Sequence, residues 1–216
     1  MRVRQSICWA ALLLVASLFM ISSSGCTPLI SMPSPNERIT AERAWAVVEP
    51  HILAWSDTAQ LVSVRFRQPI EITEFDDETC DGAATGWLFL VASSDGADYW
   101  SFVLDTSREP VDVTMAEEQR PLRHGIVQAD TWSLDSDSAM HQALDSGLQQ
   151  WLSVRFAAEP ELAVQLTMEL RADPAGATFW RVYAGQDVER IEIDIDAIQG
   201  EMLSHEEWED CPICGF

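Results

Sequence analysis

The chain has 216 residues and a formal charge of −22 at neutral pH, with 13 basic residues against 35 acidic ones. Because so large a negative charge repels phosphate backbones, we expect no nucleic-acid partner. The length suits one domain of ordinary size or two small ones, and nine Trp favour a packed core over a disordered chain.

The first 25 residues have the three parts of a secretory signal peptide. Arg2 and Arg4 give a basic start, an apolar run extends over residues 7–21, and small residues precede Cys26. A cysteine directly after such a segment resembles the processing site of bacterial lipoproteins, although Ser23 stands where those signals usually have Leu. The resemblance implies that Cys26 carries a diacylglyceryl group, commonly with an added acyl chain. An ordinary signal peptide or an uncleaved anchor is the alternative.

Residues 26–38 contain three Pro and two Ser, which predicts a tether between the lipid and the folded part. Residues 1–25 contain two Arg and no acidic residue, so the rest carries 11 Arg against 35 acidic residues, a charge of −24. This charge should keep the domain away from an anionic membrane surface. We interpret the acidity as a solubility feature, with an acidic binding face as the alternative.

The segment 39–106 predicts a helix followed by three strands. Thr40 can cap the helix, and apolar residues recur at helical spacing as far as Trp55, with Pro50 expected to kink or split the helix. Alternation of apolar and polar residues predicts strands at 62–66, 87–92 and 99–104. An acidic loop that contains Cys80 separates the first two strands.

The segment 135–203 repeats this order after a linker at 107–134. Asp135 or Ser136 can cap the second helix, which should end at Glu159. Strands are predicted at 162–170, 178–184 and 190–197; in the last, Ile191, Ile193 and Ile195 should face inward and Glu192, Asp194 and Asp196 outward. We therefore predict an α+β fold of two helix-plus-three-strand units, with antiparallel sheets each covered by a helix.

The second unit resembles the PepSY-like domains of exported bacterial proteins. The motifs that carry the resemblance are Asp135-Ser136-Asp137-Ser138-Ala139, Phe179-Trp180-Arg181-Val182, and Asp194-Ile195-Asp196-Ala197 followed by Gly200-Glu201. The first unit is similar more loosely, through its helix, Trp87 and the strand around Trp100. The resemblance implies tandem binding or regulatory units outside the cytoplasm, in some members linked to peptidase inhibition, and it implies no catalytic residues.

The segment 204–216 is an acidic tail with a Cys-Pro-Ile-Cys motif at Cys211 and Cys214. An oxidising compartment favours a disulfide there. The pair could also supply half of a tetrahedral metal site, with Cys80 and His205 able to complete the set. Free thiols and catalytic redox chemistry are further alternatives, although the neighbouring carboxylates should raise the thiol pKa values and so disfavour the latter.

We predict no enzyme, because the four His are scattered and neither a nucleophile elbow nor a phosphate-binding Gly-rich loop is present. The leading hypothesis is an exported, lipid-anchored interaction or regulatory module with no cofactor beyond the lipid on Cys26. Its expected partners are the membrane, through the anchor, and an unidentified protein or peptide. The domain should face outside the cytoplasm at the cell membrane or the outer membrane. The alternative is an envelope thiol-redox or metal-binding protein that uses Cys211 and Cys214, and an enzyme of unrecognised type is a third hypothesis.

Overall fold

Three α-helices, one five-residue π-helical segment (Leu144–Leu148) and nine strands are present in the computed structural model, which describes residues 31–76, 79–118, 125–128, 132–186 and 189–208. The helices are α1 (Ala41–Trp55), α2 (Ser136–Ala143) and α3 (Gln149–Ala158). The strands are β1 (Gln60–Phe66), β2 (Ile70–Ile72), β3 (Gly86–Ala92), β4 (Tyr99–Asp105), β5 (Asp112–Glu118), β6 (Val164–Ala172), β7 (Thr178–Gln186), β8 (Glu189–Asp196) and β9 (Met202–Trp208). Cys26, Cys211 and Cys214 lie outside the described residues, so the signal peptide, the lipid attachment and the C-terminal pair stay predictions.

All nine strands belong to one antiparallel sheet, in the order β5-β4-β3-β1-β6-β7-β8-β9, with β2 paired beside β1 on β6. The predicted fold class, two helix-plus-three-strand units with separate sheets, is therefore wrong. The two halves of the chain join where β1 pairs with β6, for example at Val64 and Leu170. This pairing satisfies backbone groups that two separate sheets would leave exposed at their edges.

Three strands lie where the sequence predicted none, namely the three-residue β2 in the predicted acidic loop and the two longer strands β5 and β9. β5 lies inside the segment predicted as the linker 107–134, and β9 contains the first residues of the predicted tail 204–216. Most side chains of both strands are exposed. β9 lacks the apolar alternation that indicates a half-buried strand, whereas Val111, Val113 and Met115 alternate with polar residues at the start of β5. The linker prediction does not use this alternation.

The start of α1 agrees with the sequence prediction. Thr40 caps the helix, and its hydroxyl accepts the backbone N–H of Arg43 at 3.5 Å. The helix continues through Pro50 to Trp55, so Pro50 does not split it. The helix packs over β3 and β4.

The N-termini of α1 and α2 are tied to each other by two side chains. Asp135 caps α2, and its Oδ1 accepts the backbone N–H groups of Ser136 at 2.7 Å and Glu42 at 2.9 Å. The Ser136 hydroxyl accepts the N–H of Ala41 at 2.9 Å. Gly82 packs directly against the backbone of Ser136, where any Cβ would lie 2.2 Å from the carbonyl oxygen. The loop after β2 and both helix starts therefore form one junction.

One hydrophobic core lies between the helices and the face of the sheet that they cover, called the helix face below. Trp87 of β3 and Trp180 of β7 are fully buried there, with ring centroids 6.4 Å apart and the rings edge to face. Trp87 donates its indole N–H to the carbonyl of Ile39, and Trp180 to that of Leu134, both at 2.8 Å. Since these two residues come from different halves of the chain, the halves share a single core.

The predicted inward and outward faces of β8 are those observed, but not every side chain on the outward face is exposed to solvent. Ile193 is fully buried on the helix face, as are its neighbours at positions 191 and 195. On the opposite face Asp194 is 8% exposed, and its two carboxylate oxygens accept Nε and Nη2 of Arg181, each at 2.7 Å. Ser204 of β9 donates its hydroxyl to the same carboxylate at 3.0 Å. Asp194 therefore has a structural role that an outward position alone does not indicate.

We expect Asp194→Ala to lower the free energy of unfolding by about 2 kcal/mol, because the partly buried Arg181 guanidinium loses its two bonds to Asp194 and keeps only its pairing with Glu192 at 3.0 Å. Thr167→Ala, on the same face of β6, should cost less than about 1 kcal/mol. Urea unfolding of both variants measures the difference. Equal losses would show that the Arg181–Asp194 pair contributes nothing beyond an ordinary surface contact.

Candidate functional site

β5 is one edge of the sheet, and among the described residues it pairs with β4 alone. Seven consecutive residue pairs join the two strands without a shift in register, from Tyr99 with Glu118 to Asp105 with Asp112. A regular, extended edge of this kind offers its free backbone groups to another strand.

The hydrogen bonds at the two ends of the β3–β4 ladder show which backbone groups point along the sheet in each direction. Ser93 donates its backbone N–H to Asp98 at 2.9 Å, and Thr106 donates to Thr85 at 2.7 Å. Hydrogen-bonded and non-hydrogen-bonded pairs alternate along an antiparallel ladder. The residues of β4 that bond to β3 are therefore Trp100, Phe102 and Leu104.

The intervening residues of β4, such as Ser101 and Val103, consequently direct their backbone groups to β5. Their partners on β5 are Ala116 and Thr114. The other β5 residues then point their N–H and C=O groups away from the sheet. These outward residues are Val113, Met115 and Glu117.

An apolar cleft of about 290 Å³ lies beside β5 on the helix face. It is lined by His51, Ala54, Trp55, Phe102, Val113 and Met115. The Trp55 ring packs at 6.1 Å from that of Phe102 and so forms a fixed wall between α1 and β4. Met115 is 50% exposed at the mouth of the cleft. This volume is at the lower end of the range of ligand pockets, so it suits one large side chain.

A charged cleft of about 290 Å³ lies on the opposite face of the same strand. It is lined by Arg67, Val103, Asp105, Arg108, Glu109, Pro110, Asp112 and Thr114. The buried Asp105 carboxylate is paired with Arg67 and, at 3.0 Å, with Nε of Arg108. The same carboxylate accepts the N–H and the hydroxyl of Ser107. We call β5, the apolar cleft and the charged cleft together the β5 edge site.

The other edge, β9, is less suited to bind a partner strand. Its pairing with β8 shifts register between Asp194 and Ile195, and such a bulge interrupts a regular edge. A cleft of about 260 Å³ lies beside it, but Arg155 in that cleft already pairs with Glu189 at 2.5 Å and lies 5.2 Å over the Trp151 ring. The β5 edge site is therefore the better candidate.

The residues that the sequence singled out lie apart from the β5 edge site, with the exception of His51 and Trp55. Cys80 is buried in the loop between β2 and β3, whereas His205 is on β9, where its Nε2 lies 2.8 Å from Oε1 of Glu207. Within the described residues there is no group of three or more His, Cys, Asp or Glu side chains that could hold a metal ion. His141 is on α2, and His124 lies outside the described residues.

Burial raises the pKa of the Cys80 thiol to about 11, from a reference value of 9.0. The thiol therefore stays protonated at neutral pH and is a poor nucleophile. Because the folded state disfavours the thiolate, the unfolded state binds fewer protons above pH 9, and the stability should fall as the pH rises from 9 to about 11.

We expect a slope of about −1.4 kcal/mol per pH unit from this residue within that window. Urea unfolding at stepwise pH measures it, with Cys80→Ala as the control that should lose this part of the slope. An unchanged slope in Cys80→Ala would contradict the assignment to the buried thiol.

None of the helices in the described part of the chain is both long enough and apolar enough to cross a membrane.

The chain matches no protein-family model and no curated protein, so the PepSY-like resemblance stays an interpretation of its motifs. One similar solved structure is the crystal structure of CD1622 from Clostridium difficile 630, a protein described as a lipoprotein. The two chains are 14% identical with a TM-score of 0.46, over 83% of this chain and 97% of that one.

Proposed function

We propose that this protein is a lipid-anchored, non-enzymatic interaction module of the cell envelope, and that it holds its partner at the β5 edge site. One observation carries the proposal: a regular edge strand that no described residue covers, with a cleft on each face. An edge strand with no bulge, proline or covering element is a site where another chain can add to the sheet. The thiol or metal alternative depends on Cys211 and Cys214, which lie outside the described residues, and it stays a prediction.

The lipid anchor is the first part of the proposal to test. Cells expressing the Cys26→Ser variant should accumulate unprocessed or misplaced protein that no longer incorporates labelled fatty acid, because the thiol that would receive the lipid is gone. Autoradiography of the immunoprecipitated protein measures this, with Cys80→Ser as a control that keeps its label. Equal labelling of Cys26→Ser and the unaltered protein would overturn the lipoprotein assignment.

The binding surface can be tested by site-specific photo-crosslinking in intact cells. A benzophenone amino acid in place of His51 lies at the apolar cleft. The same probe in place of Leu53, which is 53% exposed, points away from that cleft, because residues two apart on a helix lie about 200° apart around its axis. We expect a discrete adduct from position 51, none from position 53, and loss of the adduct when Met115→Pro removes the outward N–H of β5.

Adducts of equal yield from both positions, or none from either, would overturn the proposed binding surface. So would an adduct from position 51 that Met115→Pro leaves unchanged. Met115→Ala is the matched control for the backbone, since it retains the N–H while it removes the side chain.

A further inference from the structure

We infer that the β5 edge site binds an extended, basic peptide segment that adds to the sheet as a tenth strand and inserts one apolar side chain into the apolar cleft. This inference rests on the proposed function and specifies the chemistry of the partner.

The backbone of β5 supplies the first argument. Val113, Met115 and Glu117 direct N–H and C=O groups outward. The Val113 N–H donates to Oδ1 of Asp112 at 2.8 Å, and no described residue bonds to the outward groups of Met115 and Glu117. Buried backbone groups are nearly always paired, while those on an exposed edge are available to a partner. A peptide in extended conformation presents groups at the same spacing and can therefore continue the ladder.

The two clefts supply the side-chain specificity. Residues directly opposite each other in paired strands point to the same face. A peptide residue opposite Met115 would therefore enter the apolar cleft, where Trp55, Phe102 and Val113 form the walls. Its neighbours in the peptide would point to the opposite face, beside the charged cleft. The expected pattern is thus an apolar residue at one position with polar residues on both sides.

The negative charge of β5 determines which charge the polar residues of the peptide should carry. Asp112, Glu117 and Glu118 are exposed along the strand, and Glu118 accepts the Ser101 hydroxyl at 2.9 Å. The Arg side chains of the charged cleft are already paired with Asp105. Basic peptide residues would meet these carboxylates, whereas a second copy of β5 would place like charges opposite each other, which is destabilising.

The test measures binding of three synthetic heptapeptides to the purified full-length protein in micelles of a non-ionic detergent. The first peptide, Lys-Lys-Thr-Leu-Thr-Val-Lys, places Leu opposite Met115 and Val opposite Val113 in an antiparallel register, with Lys opposite the three acidic residues. The second has Glu for each Lys, and the third has Ser for Leu. We expect the first to bind with an affinity that falls as salt rises, and the other two to bind at least about tenfold more weakly.

Two variants separate the backbone and charge contributions. Met115→Pro should weaken binding of the first peptide roughly tenfold relative to Met115→Ala, because one backbone hydrogen bond is lost, and Pro is tolerated on an edge strand. Glu117→Arg should weaken the Lys peptide and strengthen the Glu peptide. This reciprocal change cannot arise from partial unfolding, so it keeps the test valid if Met115→Pro lowers the thermal midpoint.

Equal binding of the Lys and Glu peptides would overturn the inference, as would Lys-peptide binding that neither Met115→Pro nor Glu117→Arg changes. Concentration-dependent dimerisation that Met115→Pro abolishes and Met115→Ala retains would also overturn it in favour of a second copy. If the position-51 crosslink is present in cells while none of the peptides binds, the inference fails and the proposed function stands. If the crosslink is absent, the proposed function fails whatever the peptides do.

Discussion

Gly82→Ala should lower the free energy of unfolding by about 3–4 kcal/mol, the sum of a backbone-strain and a steric contribution. Gly82 has φ of +75°, a conformation that costs other residues about 1–2 kcal/mol. An added Cβ would also lie 2.2 Å from the carbonyl oxygen of Ser136 and 2.7 Å from Cα of Asp137. Both contacts are with backbone atoms at the start of α2, so no side chain can move aside to relieve them.

Gly96→Ala is the matched control for this substitution. Gly96 has a similar φ of +66°, but no atom lies within 4 Å of the position that a Cβ would take. Its substitution should therefore cost the backbone strain alone, about 1–2 kcal/mol. Urea unfolding of both variants gives the difference. Similar losses would show that the close contact between Gly82 and α2 is not needed for stability, and that the junction of the two halves is looser than described above.

Leu166→Ala and Ile193→Ala should each lower the free energy of unfolding by about 2–5 kcal/mol, as expected for fully buried aliphatic residues. Leu166 lies on β6 and Ile193 on β8, and both are completely buried on the helix face. Truncation of either side chain leaves a cavity that the surrounding helices can fill only in part. The measurement is again the free energy of unfolding in urea.

Thr167→Ala tests whether this loss belongs to one face of the sheet. Thr167 follows Leu166 on β6 but points to the opposite face, where it pairs in register with Tyr183. Its truncation should cost less than about 1 kcal/mol. A loss for Thr167→Ala as large as that for Leu166→Ala would mean that the face opposite the helices is also a tightly packed core.

The strand register explains why the expected losses of stability differ between the two faces of the sheet. Leu166 pairs with Ala184 across to β7, and Ile193 pairs with Val182, so both lie in continuous apolar rows under the helices. Asp194 is the exception on the other face, because its carboxylate and the Arg181 guanidinium bury each other. A sequence shows that a position faces outward, but not whether another side chain covers it.

The candidate site could not be found from the sequence. Of the residues around the apolar cleft, His51 is one of four His scattered along the sequence, and Trp55 belongs to the apolar face predicted for the first helix. The strand that brings them into a site, β5, has only a short apolar alternation, at Val113 and Met115, and lies in the segment that the sequence predicts as a linker. Its location at an edge, and the direction of its backbone groups, depend on its pairing with β4, which is a long-range property.

Local patterns in the sequence determined the positions of most helices and strands. Thr40 and the Asp135-Ser136 pair marked the two helix starts, and the alternation at residues 164–170 and 191–195 marked strands whose inward residues are buried as expected. These signals are local because a helix cap or an alternating face involves residues only a few positions apart. The tertiary structure alone decided that β1 and β6 pair to make one sheet, that Trp87 and Trp180 share one core, and that β5 and β9 become its edges. Strand pairing joins residues about a hundred positions apart through backbone groups that every sequence possesses, so the pattern of side chains does not specify the partner.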